Sequence, residues 1–448
     1  MTERPHRLPR VLGLFDVSVL SSASMGPAYS LASTMGLMVA AAAGLAPLAL
    51  VLLTLIMICV AATYARLSRV LPNAGSSYSW ISTGFGPTAG AYGAWILVIS
   101  NFFATMATAL PAGTYTLDLL APSLTNSTPW EAGVGALWII ASALLLHLGM
   151  RPTAHTTAVF VISELIVLTA AAVVSLVHPI PVVAAVQPGA TPVGFGAFVS
   201  AMVLAIWMVD GWEISASASE ETREPGPTSG RGGLIGLIVT CGVLLFAMVA
   251  FMHVGTIDGF TAHQADAMTY VAEQLGGGAW RIVIVTTVLF STSSALWTTM
   301  LYLTRSVYAM GRDGVLPPAL GKLDRSGNPT LPLVVVTITV TAVTLMNGFW
   351  PAAATALNFV VGGSAVFLGL LFFGSTAAAV RLEPTLRGGP LGVAVALIGA
   401  LSLLTILVIA LVQDDPTTRA IDLGLLVLGL PFAAWRRSRG SLRPQAAT

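Results

Sequence analysis

The sequence predicts an all-α polytopic membrane protein with twelve transmembrane helices, and three observations predict it. Hydrophobic residues make up 56% of the 448-residue chain and charged residues only 9%, where a soluble domain carries about 25% charged residues. The apolar stretches run to roughly 20 residues, the length of a bilayer-crossing helix, whereas a membrane β-barrel needs alternating segments of about ten. Lys and Arg fall almost entirely on one side of the alternation that these stretches define.

Taken in order, the spans are expected at 12–41, 45–70, 86–119, 131–150, 155–178, 193–219, 232–256, 279–311, 330–349, 351–380, 390–412 and 419–436. The first is too long for one straight crossing and should tilt, bend or break. The basic segment Met1 to Arg10 precedes an apolar run too long for a cleaved signal peptide. An even count places both termini, 1–11 and 437–448, on one face. That face then collects 18 of the 20 Lys and Arg residues, leaving Arg281 and Arg419 opposite. One span more or fewer would scramble the alternation, so a multi-pass plasma-membrane protein with both termini cytoplasmic is expected. The opposite loops are short or nearly uncharged except 257–276, where Met268, Val271, Ala272 and Leu275 repeat at the spacing of a short amphipathic helix.

Other classes are excluded by what the chain lacks. Cys59 and Cys241 each sit inside an apolar run, so they read as buried thiols. There is no nucleotide-binding glycine loop, no nucleic-acid patch, and no metal set or Ser–His pair at credible spacing. No enzyme, metal or cofactor is expected. The Arg-rich loops are explained by topology.

Two spans carry defects. The first contains Ser21-Ser22-Ala23-Ser24-Met25-Gly26-Pro27, where Pro27 removes a backbone donor and Gly26 weakens the helix. The sixth contains Asp210-Gly211-Trp212-Glu213, and two carboxylates at bilayer depth cost roughly several kcal/mol unless they face a partner or a wet cavity. Five spans separate the interruptions, so each sits first in a block of five. The blocks are 12–178 and 193–380, with 390–436 as two peripheral helices. Five is odd, so the second block must be inverted relative to the first. Corresponding broken helices in two halves mark the binding site of a secondary transporter. A break frees amide N–H groups at one stub and carbonyls at the other, which suit a carboxylate and an ammonium respectively. A zwitterionic amino acid fits both. Ser21, Ser22, Ala23 and Ser24, with Gly211, would let it reach the backbone; the alternative for the serines is helix packing by small residues.

At these residues the chain resembles the amino acid–polyamine–organocation superfamily, over about residues 10 to 435. In span 6 the family pattern is an aromatic, then Gly-x-Glu, then an acidic stretch ending in Pro. The matching residues are Trp207, Gly211-Trp212-Glu213 and Glu220-Glu221-Thr222-Arg223-Glu224-Pro225. After span 8 the matching residues are Arg305, Ala309, Arg312-Asp313-Gly314 and Pro317; after span 2 they are Pro72, Gly75-Ser76 and Tyr78. The resemblance implies a LeuT-like 5+5 inverted repeat with helices 1 and 6 broken. Two departures stand out. Many members have Gly-Ser-Gly in span 1, where this chain has Ser21-Ser22-Ala23, with Ser24 to Pro27 as the other register. Some proton-coupled members have a lysine in span 5, where this chain has Glu164.

The resemblance implies a gating or protonation role for Glu213. Asp210, one turn earlier, could meet a substrate ammonium or hold a cation. Trp207 or Trp212 could close over a bound side chain. Glu164, alone in an apolar run, should face the bundle interior and serve proton or cation coupling or a structural hydrogen bond. Asn101 and Asn358 could face the pocket. Ser291 to Ser294 could supply oxygens to a sodium ion, with packing as the alternative. The four histidines near span ends, His147, His155, His178 and His253, receive no role. The expected function is secondary active transport of amino acids or related amines by alternating access, ion-coupled with protons favoured over sodium, or exchange. A polyamine or other organic cation transporter of the same fold is the alternative; a transport-inactive sensor or a channel is the alternative of another class. Oligomeric state is left open.

Overall fold

The computed structural model describes residues 8–125, 127–177, 192–349, 353–413 and 416–438, with the backbone alone at 349, 353–364, 413, 437 and 438. Among the described residues, nine helical stretches are long and apolar enough to cross a membrane, and two shorter apolar helices cover Phe195–Met208 and Ala365–Arg381. The protein is multi-pass.

The first stretch, Leu14–Val70, is 57 residues long, far beyond the ~20 that one crossing needs, and it is interrupted several times along its length. It comprises α1 (Leu14–Met25), α2 (Pro27–Ser30), a π-helical turn over Leu31–Met35, α3 (Gly36–Ala42), a 3-10 turn over Ala43–Leu45, and α4 (Ala46–Val70). Then come α5 (Ser76–Phe85), α6 (Pro87–Leu120), α7 (Thr128–His147), α8 (Met150–Val177), α9 (Phe195–Met208) and the one-turn α10 (Ile214–Ser217). They are followed by α11 (Pro227–Val254), the short α12 (Ile257–Ala262) and α13 (Ala267–Gln274), and α14 (Ala279–Arg312). The chain closes with α15 (Thr330–Phe349), α16 (Ala353–Arg381), α17 (Glu383–Leu386), α18 (Gly389–Gln413) and α19 (Pro416–Ser438).

Small residues set the close helix crossings. On α11, a Cβ at Gly232 would strike Val17, and one at Gly236 would lie 2.6 Å from Ser21 Cβ, both on α1. On the same helix Gly230 meets the Ala65 backbone of α4. In a bilayer, where apolar burial gives no drive for helix association, such backbone proximity supplies the dispersion contacts. The long helices α6 and α14 pack on each other, and α7 packs on α15. Helix α14 buries Thr292, Ser293 and Ser294, each donating its hydroxyl proton to its own helix at Val288 O, Leu289 O and Ser291 O, so each hydroxyl proton is satisfied within the helix.

Helix α18 packs on α16 and α4, while α19 lies along α6. There Tyr92 Oη and Trp95 Nε1 donate to Leu426 O and Leu425 O at 3.1 and 3.0 Å. Outward residues such as Leu137, Ile166, Leu401 and Leu428 remain exposed, as lipid-facing side chains should be. The amphipathic segment forms as its spacing predicts. Met268, Val271, Ala272 and Leu275 are buried, and Asp266 caps α13 by accepting from Thr269 N. Burial holds the Asp266 carboxyl above the usual carboxylate range, against hydrogen bonds from Thr269. The α12–α13 segment sits on α3, with Phe260 O and His263 O about 3 Å from where a Cβ on Gly36 would stand.

Candidate functional site

Span 1 breaks at Gly26. This residue takes the left-handed conformation at φ 52° and ψ 66°, and Pro27 opens α2 at its first position. Left-handed backbone is open to glycine at no steric cost, and proline belongs where no amide partner is available. Of the two registers, the break therefore takes the second: Ser21, Ser22 and Ala23 lie inside α1. Ser21 faces the Gly236 contact with α11; its Oγ is buried without a hydrogen-bond partner.

Span 6 opens between α9 and α10. Gly211 sits at φ 107°. The Asp210 amide makes a long 3.4 Å bond to Trp207 O, and Ile214 N turns back to Gly211 O at 3.2 Å. The two breaks touch. A Cβ on Gly211 would fall 2.5 Å from both the carbonyl carbon and oxygen of Ser24 and 2.8 Å from its Oγ. Two chains can cross this closely only where one of them lacks a side chain.

Beside this crossing is a small cavity. Span 1 contributes Ser24, Met25, Tyr29 and Ser30 to its wall, and span 6 contributes Trp207 and Asp210. Ala104 and Thr108 line it from α6, and Ala295 and Thr299 from α14. Asp210 Oδ1 is enclosed without a hydrogen-bond partner. Glu213 is buried, and its Oε2 accepts from the Gly211 amide at 3.1 Å. The hinge of span 6 is thus tied to a carboxyl two residues on.

The tryptophans separate. Trp207 lines the cavity. Trp212 is 1% exposed and packs away from it, stacked on Phe372 at 5.7 Å and edge-on to Tyr64 at 5.1 Å. Tyr64 in turn meets Trp80 at 5.0 Å. Glu164 of α8 is fully buried. It lies beside Ser291 and the Ala28 amide at the start of α2, yet neither of its oxygens closes a hydrogen bond. Ser291 Oγ instead accepts the Tyr29 amide at 3.1 Å. Asn101 is buried on α6, and its Nδ2 donates to Leu97 O one turn back at 3.1 Å. Asn358 falls on α16, outside the residues whose side chains are described. The lining residues Tyr29, Ala104, Thr108, Ala295 and Thr299 carried no sequence signal beyond small or hydroxyl residues at four-residue spacing.

At the Arg-rich end of the bundle, spans 6 and 8 are stitched together. Arg305 Nε and Nη2 donate to Glu221 at 2.9 and 3.0 Å, with the two side chains 3% and 0% exposed. Arg312 Nη1 donates to Glu220 Oε2 at 2.8 Å, while Glu220 Oε1 accepts the Ala74 amide just ahead of α5. Tyr78 Oη donates to Asp313. The N-terminal segment joins through a parallel bridge between Leu12 and Thr222, in which Val11 N and Leu12 N donate to Glu221 O. All three motifs noted in the sequence, around Tyr78, Glu221 and Arg312, meet in this one network.

The amino acid permease family matches residues 12–421 of the chain. The chain belongs to that family. It is 28% identical over 316 residues to a branched-chain amino acid permease, BcaP, of Lactococcus lactis subsp. cremoris (strain MG1363), covering 66% of this chain and 64% of that one. The chain thus spans less than two thirds of this relative's length. It is also 28% identical over 334 residues to the branched-chain amino acid permease BcaP of Bacillus subtilis (strain 168), covering 70% of each. Among solved structures, this permease superposes on a manganese transporter of Eremococcus coleocola with a TM-score of 0.59 at 15% identity, covering 95% of this chain and 94% of that one. At that identity the likeness concerns fold alone.

Proposed function

We propose that this permease is a secondary active transporter of amino acids or related amines that works by alternating access. The observation that carries the reading is the meeting of two interrupted helices, at Gly26 and Gly211, beside a cavity that holds an unpartnered Asp210 oxygen. Discontinuous helices crossing at mid-bundle are how such transporters expose backbone to a substrate.

We read the architecture as twelve crossings in a 5+5 inverted repeat, with 12–178 and 193–380 as the repeats and 390–436 peripheral. The pattern of helix contacts supports it. Span 5 (α8) packs on spans 1, 7 and 8, and span 10 (α16) packs on spans 6, 2 and 3, which is the same set shifted by five. Spans 3 and 8, 4 and 9, and 2 and 7 pair with each other, and the contacts 3–4 and 3–9 have counterparts in 8–9 and 8–4. A two-fold exchange of the halves maps this contact set onto itself. The Arg-rich end is the cytoplasmic one by the positive-inside rule, which puts both termini there in the plasma membrane. The Glu220, Glu221, Arg305 and Arg312 network then closes the inner side and must part for the cavity to open inward.

Glu213 is the coupling group. Its bond to the Gly211 amide is charge-assisted while the carboxyl is ionised and weakens once it is protonated, so a proton gained or lost there acts on the hinge itself. Glu164, at the start of α2 between spans 1, 5 and 8, serves the same coupling from the span 1 side. The branched-chain names of the relatives make leucine the first substrate to try. Purified protein in proteoliposomes should accumulate radiolabelled leucine under an inward proton gradient and exchange it in counterflow. Absence of both accumulation and counterflow for leucine and for a panel of amino acids and amines would refute the transporter reading.

A further inference from the structure

We infer that Tyr29 is a latch that holds the cavity shut on the side away from the Arg-rich network, and that it closes on a backbone carbonyl which Pro111 leaves free for it. This rests on the transporter reading and adds, at the other end of the cavity, a counterpart to the inner network.

The acceptor comes from the sequence of span 3. Pro111 stands inside α6. It has no N–H, so the carbonyl four residues back, that of Ala107, lacks its helical donor. Within a bilayer such a carbonyl has to be taken up by a neighbouring group. Tyr29 does this: its Oη donates to Ala107 O at 2.6 Å, with both groups buried. Had residue 111 an amide, Ala107 O would be satisfied within α6 and Tyr29 would gain little by reaching it.

The donor sits on the half of span 1 that follows the break. Tyr29 is the third residue of α2, and its own amide donates to Ser291 Oγ of α14 at 3.1 Å. Helix α2 packs on α14 and α8, and the Tyr29 side chain carries it across to α6. The ring thus bridges spans 1 and 3 in the cavity wall, beside Ala104 and Thr108. Helix α6 starts at Pro87, close to the Ala74 and Tyr78 contacts of the Arg-rich network. Ala107 lies roughly 30 Å along it, at ~1.5 Å per residue, which places the latch on the far side. Further out on the same helix, Tyr115 lies against the Asp266 carboxyl that caps α13, and Asp118 pairs with Arg281 of α14. Helix α13 in turn packs on the π-helical turn of span 1. For span 1 to move off span 3, Tyr29 has to release Ala107 O. Water entering the opened path then solvates the carbonyl, so the bond can break and reform in every cycle.

The test uses the full-length protein in intact cells, with Cys59→Ser and Cys241→Ser and with Ala104→Cys in the cavity wall. A membrane-impermeant methanethiosulfonate is added outside, the face opposite the Arg-rich end by the positive-inside rule. Tyr29→Phe keeps the ring and removes the donor. It should speed labelling about fivefold, the shift that one hydrogen bond gives, and lower the melting temperature by leaving Ala107 O unpaired. Pro111→Ala gives that carbonyl an amide. Tyr29→Phe should therefore cost less melting temperature in the Pro111→Ala protein than in the parent, while labelling stays fast. Unchanged labelling on Tyr29→Phe overturns the latch. An equal loss of melting temperature in both backgrounds overturns the part given to Pro111. Labelling needs no substrate. Faster labelling in a protein that transports neither amino acids nor amines keeps the latch and removes the transporter reading; leucine transport with unchanged labelling removes the latch alone.

Discussion

Replacing Glu221 by Gln tests what closes the Arg-rich end. The Glu221 and Arg305 side chains are 0% and 3% exposed and share two hydrogen bonds of 2.9 and 3.0 Å. Glu221→Gln keeps the shape and removes the charge, leaving a guanidinium enclosed without a counter-ion. Breaking one partner of a buried pair costs about 3–5 kcal/mol. At roughly 2 °C per kcal/mol, the low slope for larger domains, the melting temperature should fall by about 6–10 °C. Glu221→Leu with Arg305→Met removes both charges together, and such exchanges are often neutral or stabilising, so it should recover most of the loss. The assay is thermal unfolding of the detergent-purified protein for parent, singles and double, read as a double-mutant cycle. A Glu221→Gln melting point within about 1 °C of the parent, or a double variant no better than the sum of the singles, would refute the claim that this pair bears charge-compensated load. A stable double variant with slowed turnover would fit a lock that has to open and reclose in every cycle.

Three further outcomes follow from the site. Gly211→Ala must hold a Cβ at φ 107° and against the Ser24 carbonyl; strain of about 1–2 kcal/mol for the left-handed backbone plus the clash should abolish leucine uptake and lower the melting point, and parental uptake would contradict the crossing. Glu213→Gln should flatten the pH dependence of uptake while the protein still folds; an unchanged pH profile counts against Glu213 as the coupling group. Trp212→Ala should destabilise by about 3–5 kcal/mol as a lost core aromatic, whereas Trp207→Ala should leave the melting point nearly unchanged and weaken substrate binding, and the reverse pattern would mean the two rings had been assigned to the wrong faces.

Much of the site was legible because polar residues inside apolar runs are costly. Asp210, Glu213 and Glu164 announced themselves in this way, and Pro27 announced the weak point of span 1. The register of that break was not legible. Ser21 and Ser22 stay helical, whereas Gly26 and Pro27 together force the turn. The two tryptophans could not be told apart, because five residues across an unwound stretch obey no helical period. Trp207 faces the cavity and Trp212 joins Tyr64 and Phe372. Asn101, expected to face the pocket, is buried on α6 with its Nδ2 donating to Leu97 O of its own helix.

The sequence by itself determined the long apolar helices, the asymmetric Arg distribution and the places where helices weaken, since each follows from local chemistry: apolar length, charge placement, and the missing donor of a proline; the short α5 and α17, which lack that apolar length, it did not announce. Tertiary structure decided which amides and hydroxyls at the two breaks are already bonded, and it left oxygens of both Asp210 and Glu164 without a hydrogen-bond partner. That balance depends on Ser291 and Glu164 reaching α2 from distant helices, and on Gly211 crossing Ser24. No local period records such contacts, because they form between segments that meet only when the bundle packs.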